Sequence, residues 1–425
     1  MVTVACAGAA TVTGLAAVPA AAAPVDDFYL PPAQFDETRG AVIKSEPVDV
    51  LALPPAGDGT WPVQAQRVMY TSRTQDGAPV AVSGTYVETS APWTGPGERP
   101  TVIVAPGTVG QGDQCAPSVA FANGLYAQVA PTPSMSVNQE SVSTALWTAR
   151  GARVFVTDYI GLGTPGIHTY VNRREAAHSV LDAARVANTL SGTGTDTPLL
   201  FWGYSQGGGA TAAAAELQPS YAPELNLQGV WAGAPTADLN AVLAQVDGTL
   251  IGGVIGFALN GLVARYPELE PLIDRVASEK GKVVLQDLKT ACIGDVILTR
   301  PLLRTSTLTV DGRSLNEWLA EMPKARAALD DQRIGRLTPT APITITSAFH
   351  DDTVPYGQAR QLAEDWCGQG ASVRFLTNQM PPIAPGSTLP NHFGPQIIDG
   401  YLSDTVANHL VHQLGDQPAA GCSFA

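Results

Sequence analysis

The stretch Pro198-Leu-Leu-Phe-Trp-Gly-Tyr-Ser-Gln-Gly-Gly-Gly209 decides how the chain folds. An apolar run typical of a buried strand ends in Gly-x-Ser-x-Gly, and the Ala-rich residues 210–217 that follow are typical of a helix. This order predicts a strand, a sharp turn and a helix, with Ser205 held at the turn in a strained conformation. Gly203 and Gly207 lack the Cβ atoms that would collide where helix and strand cross. A flexible Gly/Ser loop would need neither flank, so we interpret Ser205 as a nucleophile.

Strand and helix patterns alternate on both sides of this stretch. Expected strands are residues 101–104, 152–157, 199–202 and 227–232, and expected helices are 138–150, 172–190 and 206–217. Such alternation predicts a mostly parallel sheet with helices on both faces. Further upstream, residues 63–71 and 80–87 flank the turn signal Gln75-Asp-Gly77 and predict an antiparallel hairpin. Residues 24–60 contain Pro pairs and predict an extended arm with little regular structure.

Residues 237–335 break this rhythm, because their pattern is mostly helical and includes no strand of comparable quality. Their uncharged run 250–259 is too short to span a bilayer. We interpret it as a buried helix of a cap, as the wall of an acyl-binding pocket, or as both. The core pattern resumes with a strand at 343–347, a helix at 357–366, a strand at 373–376 and a final helix at 395–412. The predicted division is therefore core 24–236, helical cap 237–335 and core 336–425.

Charge and the first residues bound the setting of the protein. The 425 residues carry a net charge of −14 and no Lys/Arg-rich run, which argues against nucleic acid as a partner. Residues 1–23 are small and apolar and end in Ala20-Ala-Ala-Ala23, which is typical of a secretory signal although no basic residue precedes them. Gly8, Gly14 and Pro19 disfavour a membrane anchor. We expect a secreted or cell-envelope protein with no membrane span in the mature chain.

Four cysteines remain after the signal segment, which contains Cys6, is removed: Cys115, Cys292, Cys367 and Cys422. An even number in an oxidising compartment predicts two disulfides. Three pairings exist, and we favour Cys115 with Cys292 and Cys367 with Cys422, the second clipping the C-terminal tail to the last core helix. No Cys-x-x-Cys or His-x-x-x-His spacing indicates a metal site, and we expect no metal or other cofactor.

A serine hydroxyl needs a base to take its proton and usually an acid to orient that base. We expect the three groups to follow core strands in the chain order Ser, acid, His. The first carboxylate after the strand at 343–347 is Asp351, which is therefore the expected acid. Asp352 is the rival, but its side chain should point the other way, and it is also a candidate N-cap for the next helix. His350 precedes the acid and does not fit the order.

His392 is the expected base, in the loop Leu389-Pro-Asn-His-Phe-Gly394 between the last strand and the last helix. The C-terminal helix should contain His409 and His412 as surface or packing residues. His168 and His178 precede the nucleophile and break the order.

Two backbone N–H groups must also stabilise the oxyanion that forms when a serine attacks a carbonyl. The N–H of Gln206 provides one from the turn. The segment Ala105-Pro-Gly-Thr-Val109 follows an earlier core strand, and there Gly107 lets the backbone turn so that Thr108 or Val109 can donate. The alternative is a Pro-Gly turn with no chemical role.

With these groups placed, the chain resembles the secretory lipase family of α/β-hydrolases over roughly residues 28–422. The motifs that carry the resemblance are Phe28-Tyr-Leu-Pro-Pro32, Pro106-Gly-Thr-Val-Gly-Gln-Gly-Asp-Gln-Cys-Ala-Pro-Ser118, Asp158-Tyr-Ile-Gly-Leu-Gly163, Gly203-Tyr-Ser-Gln-Gly207 and Asp351-Asp-Thr-Val-Pro355. The resemblance implies an α/β-hydrolase fold, a cap that covers the acyl site and can act as a lid, and a triad of Ser205, Asp351 and His392.

The resulting hypothesis is a secreted serine esterase or lipase that cleaves acylglycerols or other lipid esters, with an oil–water interface as one place of action. Acyl transfer to an alcohol by the same triad is the nearest alternative. A peptidase shares the triad, and a non-catalytic surface protein on a hydrolase scaffold is the alternative from another class.

Overall fold

A ten-stranded sheet forms the centre of the molecule. The computed structural model describes residues 26–49, 63–129, 133–415 and 421–425. The predicted signal segment 1–23 and part of the predicted arm lie outside the described residues. In chain order the strands are β1 (Val42–Val48), β2 (Val63–Arg73), β3 (Pro79–Thr89), β4 (Thr101–Ala105), β5 (Leu125–Gln128), β6 (Ser134–Val137), β7 (Arg153–Thr157), β8 (Leu199–Tyr204), β9 (Leu227–Gly233), β10 (Ile343–Ala348), β11 (Val373–Asn378) and β12 (Cys422–Phe424).

The strand order in the sheet is β1-β2-β3-β7-β4-β8-β9-β10-β11-β12, and β5 pairs with β6 in a separate hairpin. Antiparallel pairing joins β1, β2, β3 and β7, whereas every pair from β7 to β12 is parallel. The predicted hairpin and the predicted mostly parallel sheet are therefore confirmed. The carboxyl ends of β4, β8, β10 and β11 all meet at one edge, which is where ligands bind to such sheets.

The helices are α1 (Glu140–Ala149), α2 (Arg173–Ser191), α3 (Gln206–Tyr221), α4 (Leu239–Val246), α5 (Val254–Arg265), α6 (Glu270–Val276), α7 (Glu279–Leu288), α8 (Ile293–Thr299), α9 (Leu315–Leu319), α10 (Pro323–Asp331), α11 (Tyr356–Gly368), α12 (Gly394–Gln396) and α13 (Thr405–Gln413). In the described ranges, no helix combines the length and apolar character needed to cross a bilayer. Helices α4 to α10 all fall between residues 237 and 335, where the sequence predicted helix.

These seven helices pack around an apolar core of their own, formed by buried side chains such as Val246, Phe257 and Leu288. A disulfide between Cys115 and Cys292 joins this helical layer to the loop after β4. Since a cross-link between residues far apart in sequence restricts the unfolded chain most, this bond should contribute several kcal/mol of stability. The second disulfide joins Cys367 at the end of α11 to Cys422 in β12.

Two sequence expectations are wrong. The arm contains the edge strand β1, which pairs with β2. Residues 44–46 at its centre are polar, so the sequence has no apolar pattern there that would predict a strand. The final helix is not continuous over 395–412. Residues 389–402 wind mainly as π-helical turns, and the chain breaks at Asp404, which has φ +53°. Gly400 lies against the indole of Trp231, where a Cβ would clash with the ring.

The crossing of α3 over the sheet depends on glycines with no room for a side chain. A Cβ on Gly207 would overlap the carbonyl oxygen of Ala105, and one on Gly208 would overlap the carbonyl oxygen of Gly233. Both obstacles are backbone atoms, which cannot rotate away. The apolar strand β8 lies fully buried below this crossing. The turn at Ser205 is therefore enclosed by the backbones of β4, β9 and α3.

We expect Gly208→Ala to lower the free energy of unfolding by about 2 kcal/mol or more, because α3 must shift away from β9. Gly357→Ala in α11 is the matched control: its Cβ meets nothing within 4 Å, and alanine favours a helix by up to about 1 kcal/mol. Urea unfolding followed by tryptophan fluorescence measures both. Equal stability of the two variants would contradict close packing at Gly208.

Candidate active site

Ser205 lies in the turn between β8 and α3 with φ +60° and ψ −118°. A non-glycine residue rarely adopts a positive φ, and here the neighbours hold it there. Its N–H donates to the carbonyl oxygen of Gly233 at 2.8 Å, and its own carbonyl accepts from Gly209 N–H at 3.0 Å. The hydroxyl is therefore fixed at the carboxyl edge of the sheet. Gln206 begins α3, so its N–H is one of the helix-start donors without an intrahelical acceptor.

The structure brings Ser205, His392 and Asp351 together in one hydrogen-bonded chain. Ser205 Oγ is 2.9 Å from His392 Nε2, and His392 Nδ1 is 2.7 Å from Asp351 Oδ2. The other oxygen of Asp351 accepts the N–H groups of Thr353 and Val354 at 2.8 and 2.9 Å. Because an ionised carboxylate only accepts, Nδ1 carries the proton and Nε2 is free to accept from Ser205.

All three side chains are buried, and those of His392 and Asp351 are almost completely enclosed. Asp351 follows β10 as expected. His392 lies not in a loop, as the sequence predicted, but in a π-helical turn over Leu389–Phe393. This turn begins after Thr388, whose carbonyl accepts the N–H of His392 at 2.8 Å.

The rival acids and bases are engaged elsewhere. Asp352 does not cap α11, whose N-cap is Pro355 without a side-chain bond. Instead, its carboxylate binds the segment before His392. His350 is exposed. His409 contacts Arg374, and burial, the largest effect, lowers the pKa of His409 to about 4.

His168 has a position that the sequence did not reveal. It is buried, with Nδ1 3.0 Å from the carbonyl oxygen of Ile160 and Nε2 3.0 Å from the side-chain amide nitrogen of Gln206. Burial lowers its pKa to about 4. A neutral imidazole that donates from Nδ1 and accepts at Nε2 satisfies both contacts. His168 thus orients the residue that follows Ser205, and no local sequence signal announces that contact.

The loop after β4 is held from both sides. Gly107 N–H donates to the buried carboxylate of Glu140 at 3.1 Å, and Tyr159 OH donates to the carbonyl oxygen of Pro106 at 2.9 Å. Burial raises the pKa of Glu140. Two further contacts follow along the loop: Thr108 Oγ1 lies 2.8 Å from Tyr170 OH, and Ile293 N–H of the helical layer donates to the carbonyl oxygen of Val109 at 2.8 Å. Neither Glu140 nor Tyr159 is a candidate site residue from the sequence alone.

An apolar cavity of about 90 Å³ lies within the helical layer 237–335. Its walls are almost entirely aliphatic and include Leu243, Ile255, Gly256, Leu288, Ala325 and Leu329. Ile255 and Gly256 belong to the uncharged run that the sequence singled out. Helix α4 contributes Leu243 to the cavity wall, and Gln245 of the same helix donates its side-chain N–H to the carbonyl oxygen of Asp351 at 3.2 Å. Within the described residues, no group of three His, Cys, Asp or Glu side chains is placed to hold a metal ion.

The burial of His168 predicts a pH-dependent stability. Its pKa is about 4 in the folded chain and near 6.5 in an unfolded one. Between these values the folded state binds fewer protons, so the free energy of unfolding falls as the pH is lowered through this window. We expect His168→Gln to remove about 3 kcal/mol of this dependence. Urea unfolding at pH 4 to 7 measures it, with the exposed His412→Gln as control. Parallel curves for wild type and His168→Gln would contradict the assignment.

Comparison with known proteins assigns this arrangement to a family. By sequence, the chain is 28% identical over 365 residues to a probable inactive lipase of Mycobacterium tuberculosis, which covers 82% of this chain and 76% of that protein. It is 26% identical over 362 residues to a secreted triacylglycerol lipase of Malassezia globosa, which covers 83% of this chain and 60% of that protein.

By structure, the chain is similar to Candida antarctica lipase A in its closed state, with a TM-score of 0.74, 22% identity, and coverage of 94% of this chain and 90% of that one. At this identity the likeness shows the fold alone, which is the α/β-hydrolase fold. A family model described as secretory lipase matches residues 127–421. Because that match spans more than half of the 425 residues, the chain belongs to the secretory lipase family.

Proposed function

We propose that this carboxylic ester hydrolase cleaves acylglycerols or other lipid esters through an acyl-enzyme formed on Ser205. The observation that carries the proposal is the hydrogen-bonded chain from Ser205 through His392 to Asp351. A nucleophile within 2.9 Å of a base, itself oriented by a buried acid, is the arrangement that activates a serine hydroxyl.

In the first half of the reaction, Ser205 Oγ attacks the ester carbonyl carbon while His392 Nε2 takes the hydroxyl proton. Asp351 accepts the hydrogen bond from Nδ1 and stabilises the imidazolium that forms. Collapse of the tetrahedral intermediate breaks the bond to the alcohol oxygen, which receives the proton from His392. The acyl group is then bonded to Ser205, and the alcohol leaves.

In the second half, water attacks the acyl carbon and gives a proton to the same imidazole nitrogen. The second tetrahedral intermediate collapses, the carboxylic acid leaves, and Ser205 regains its proton from His392. No cofactor is required, because each proton that the base accepts is returned within the same half-reaction.

The negative charge on the carbonyl oxygen needs fixed donors, and each is worth on the order of a hundredfold in rate. Gln206 N–H is the first, because it follows Ser205 and begins a helix. For the second we favour Thr108 over Val109. Its neighbour Gly107 is fixed by Glu140, and its hydroxyl contact with Tyr170 fixes the residue from the other side.

The Mycobacterium tuberculosis relative is described as a probable inactive lipase, so family membership alone leaves activity to be argued. In this chain the three polar side chains are present and in hydrogen-bond contact. The positive φ of +60° at Ser205 and the aligned imidazole favour an active enzyme, because backbone strain of this kind is found mainly at functional sites.

We assign residues 237–335 as the cap and its cavity as the acyl-binding pocket. The aliphatic lining suits a hydrocarbon chain, whose burial stabilises a complex by about 0.8 kcal/mol per methylene. Ser205 is only 8% exposed, so a lipid must displace part of the cap or a neighbouring loop to reach it. We propose that the cap is the part that moves, so that it serves as a lid as well as a pocket.

We also propose that the protein is exported. Residues 1–23 have the character of a signal segment, and the two disulfides are of the kind that persists in oxidising compartments. The family name and the secreted relatives support this location.

We expect Ser205→Ala to lower kcat for ester hydrolysis about 10⁵-fold, because the acyl-enzyme cannot form. Hydrolysis of p-nitrophenyl esters with acyl chains of two to sixteen carbons measures the loss. Ser220→Ala, at the exposed end of the same helix, is the matched control and should keep full activity. Turnover by Ser205→Ala at the wild-type rate would disprove the acyl-enzyme, and an inactive wild type would disprove ester hydrolysis.

We expect Ala325→Phe to lower kcat/KM for esters of twelve to sixteen carbons about tenfold and to leave esters of two to four carbons unchanged. The phenyl ring would fill part of the cavity that Ala325 lines. Ala327→Phe places the same ring on the exposed side of α10 and should not alter the chain-length profile. If both variants reduce all esters equally, the cap cavity does not bind the acyl chain.

A further inference from the structure

Two consecutive carboxylates, Asp351 and Asp352, hold the same segment of chain from different sides. Asp351 Oδ2 contacts the imidazole of His392 at 2.7 Å. Asp352 Oδ2 accepts the backbone N–H of Gly386 at 2.8 Å and that of Thr388 at 3.3 Å, together with a side-chain N–H of Asn391 at 2.8 Å. One oxygen of Asp352 therefore binds three donors of the loop that leads into His392.

The loop is also closed on itself next to His392. The side-chain oxygen of Asn391 accepts the N–H of Ile383 at 2.7 Å, and its amide nitrogen donates to the carbonyl oxygen of Ile383 at 2.8 Å. Asn391, which directly precedes His392, is thereby bonded to Ile383 at the start of the loop. Because Asp352 binds that same amide nitrogen, it fixes the closed loop to the end of β10.

The conformation that Asp352 holds is strained. Thr388 is fully buried with φ +58° and ψ −53°, a backbone region that costs a non-glycine residue about 1 to 3 kcal/mol. Its carbonyl accepts the N–H of His392 and so starts the π-helical turn. Thr388 N–H is one of the three donors to Asp352. The strained residue is thus held on one side by Asp352 and bears His392 on the other.

We propose that Asp352 is a positioning residue for the triad: by binding Gly386, Thr388 and Asn391, it holds the backbone of His392 where the imidazole reaches both Ser205 and Asp351. This inference rests on the proposed ester hydrolysis for its kinetic consequence. The charge of the carboxylate matters because a charge-assisted hydrogen bond is roughly twice as strong as a neutral one.

Asp295 offers a matched control in the same chain. Its carboxylate also accepts two backbone N–H groups, from Met135 and Cys292, and one side-chain donor, Ser134 Oγ. Like Asp352, it is half-buried. It lies beside the disulfide between core and cap, and these hydrogen bonds go to residues 134, 135 and 292 rather than to the segment around His392. A purely structural effect should therefore be alike in Asp352→Ala and Asp295→Ala.

Kinetics test the proposal first. We expect Asp352→Ala to lower kcat for p-nitrophenyl butyrate about 100-fold with KM within twofold, because a small displacement of a catalytic group costs rate rather than binding. Asp352→Asn keeps one acceptor oxygen and should recover part of kcat. Asn391→Ala should show the same loss in milder form.

A measurement independent of turnover uses the proton between His392 Nδ1 and Asp351, which resonates far downfield in the NMR spectrum. We expect this resonance to be present in wild type and Asp295→Ala and to be lost or broadened in Asp352→Ala and Asn391→Ala. Thermal unfolding of all variants shows which of them are folded, and Asp352→Asn and Asn391→Ala replace Asp352→Ala should it not fold.

The outcomes separate the two proposals. Wild-type kcat and an intact downfield resonance in Asp352→Ala or Asn391→Ala, or a loss of stability without loss of kcat, would overturn the positioning role. If the wild type hydrolyses no ester, the proposed function fails, while loss of the resonance in Asp352→Ala still supports the positioning of His392.

Discussion

The structure depends on the close approach of three backbones around Ser205. The carbonyl oxygens of Ala105 and Gly233 lie where side chains of Gly207 and Gly208 would be, so α3 can cross the sheet only because those residues are glycines. The tight crossing holds Ser205 at the carboxyl edge of the sheet, directly before Gln206, the first residue of α3. Because protein interiors are close-packed and transmit strain, the strained turn is paid for by the buried sheet beneath it.

The order of strands converts this turn into a site. β4 and β8 are neighbours, so the loop with Thr108 lies beside Ser205, while β10 and β11 bring Asp351 and His392 to the same edge from the other side. Only the last of these positions is not set directly by a strand end. His392 is separated from β11 by a loop. Its position therefore depends on the strained turn at Thr388 rather than on the end of a strand.

The features that could be predicted from the sequence are those that depend on local pattern and on chain order. Strand and helix periods predicted the core, and the order of Ser205, Asp351 and His392 predicted which side chains would meet. Glu140 and Asp352 could not be assigned in this way. Glu140 binds Gly107 across 33 residues, and from the sequence Asp352 is only the rival acid or a candidate N-cap for the next helix. The π-helical turns could not be predicted from local pattern either, because the contacts of that segment, such as that of Gly400 with Trp231, join residues far apart in sequence.

The loop after β4 joins the chemistry of the core to the cap. Its first half is bound by the core, through Glu140 and Tyr159. Its second half is bound by the cap, through Ile293 N–H on the carbonyl of Val109 and through the disulfide of Cys115 with Cys292. Val109, the residue after Thr108, is therefore bonded directly to the first residue of α8. Under the proposed function, the acyl-binding pocket and the oxyanion donors thus belong to one connected unit, which would set the position of the acyl chain together with that of its reacting carbon.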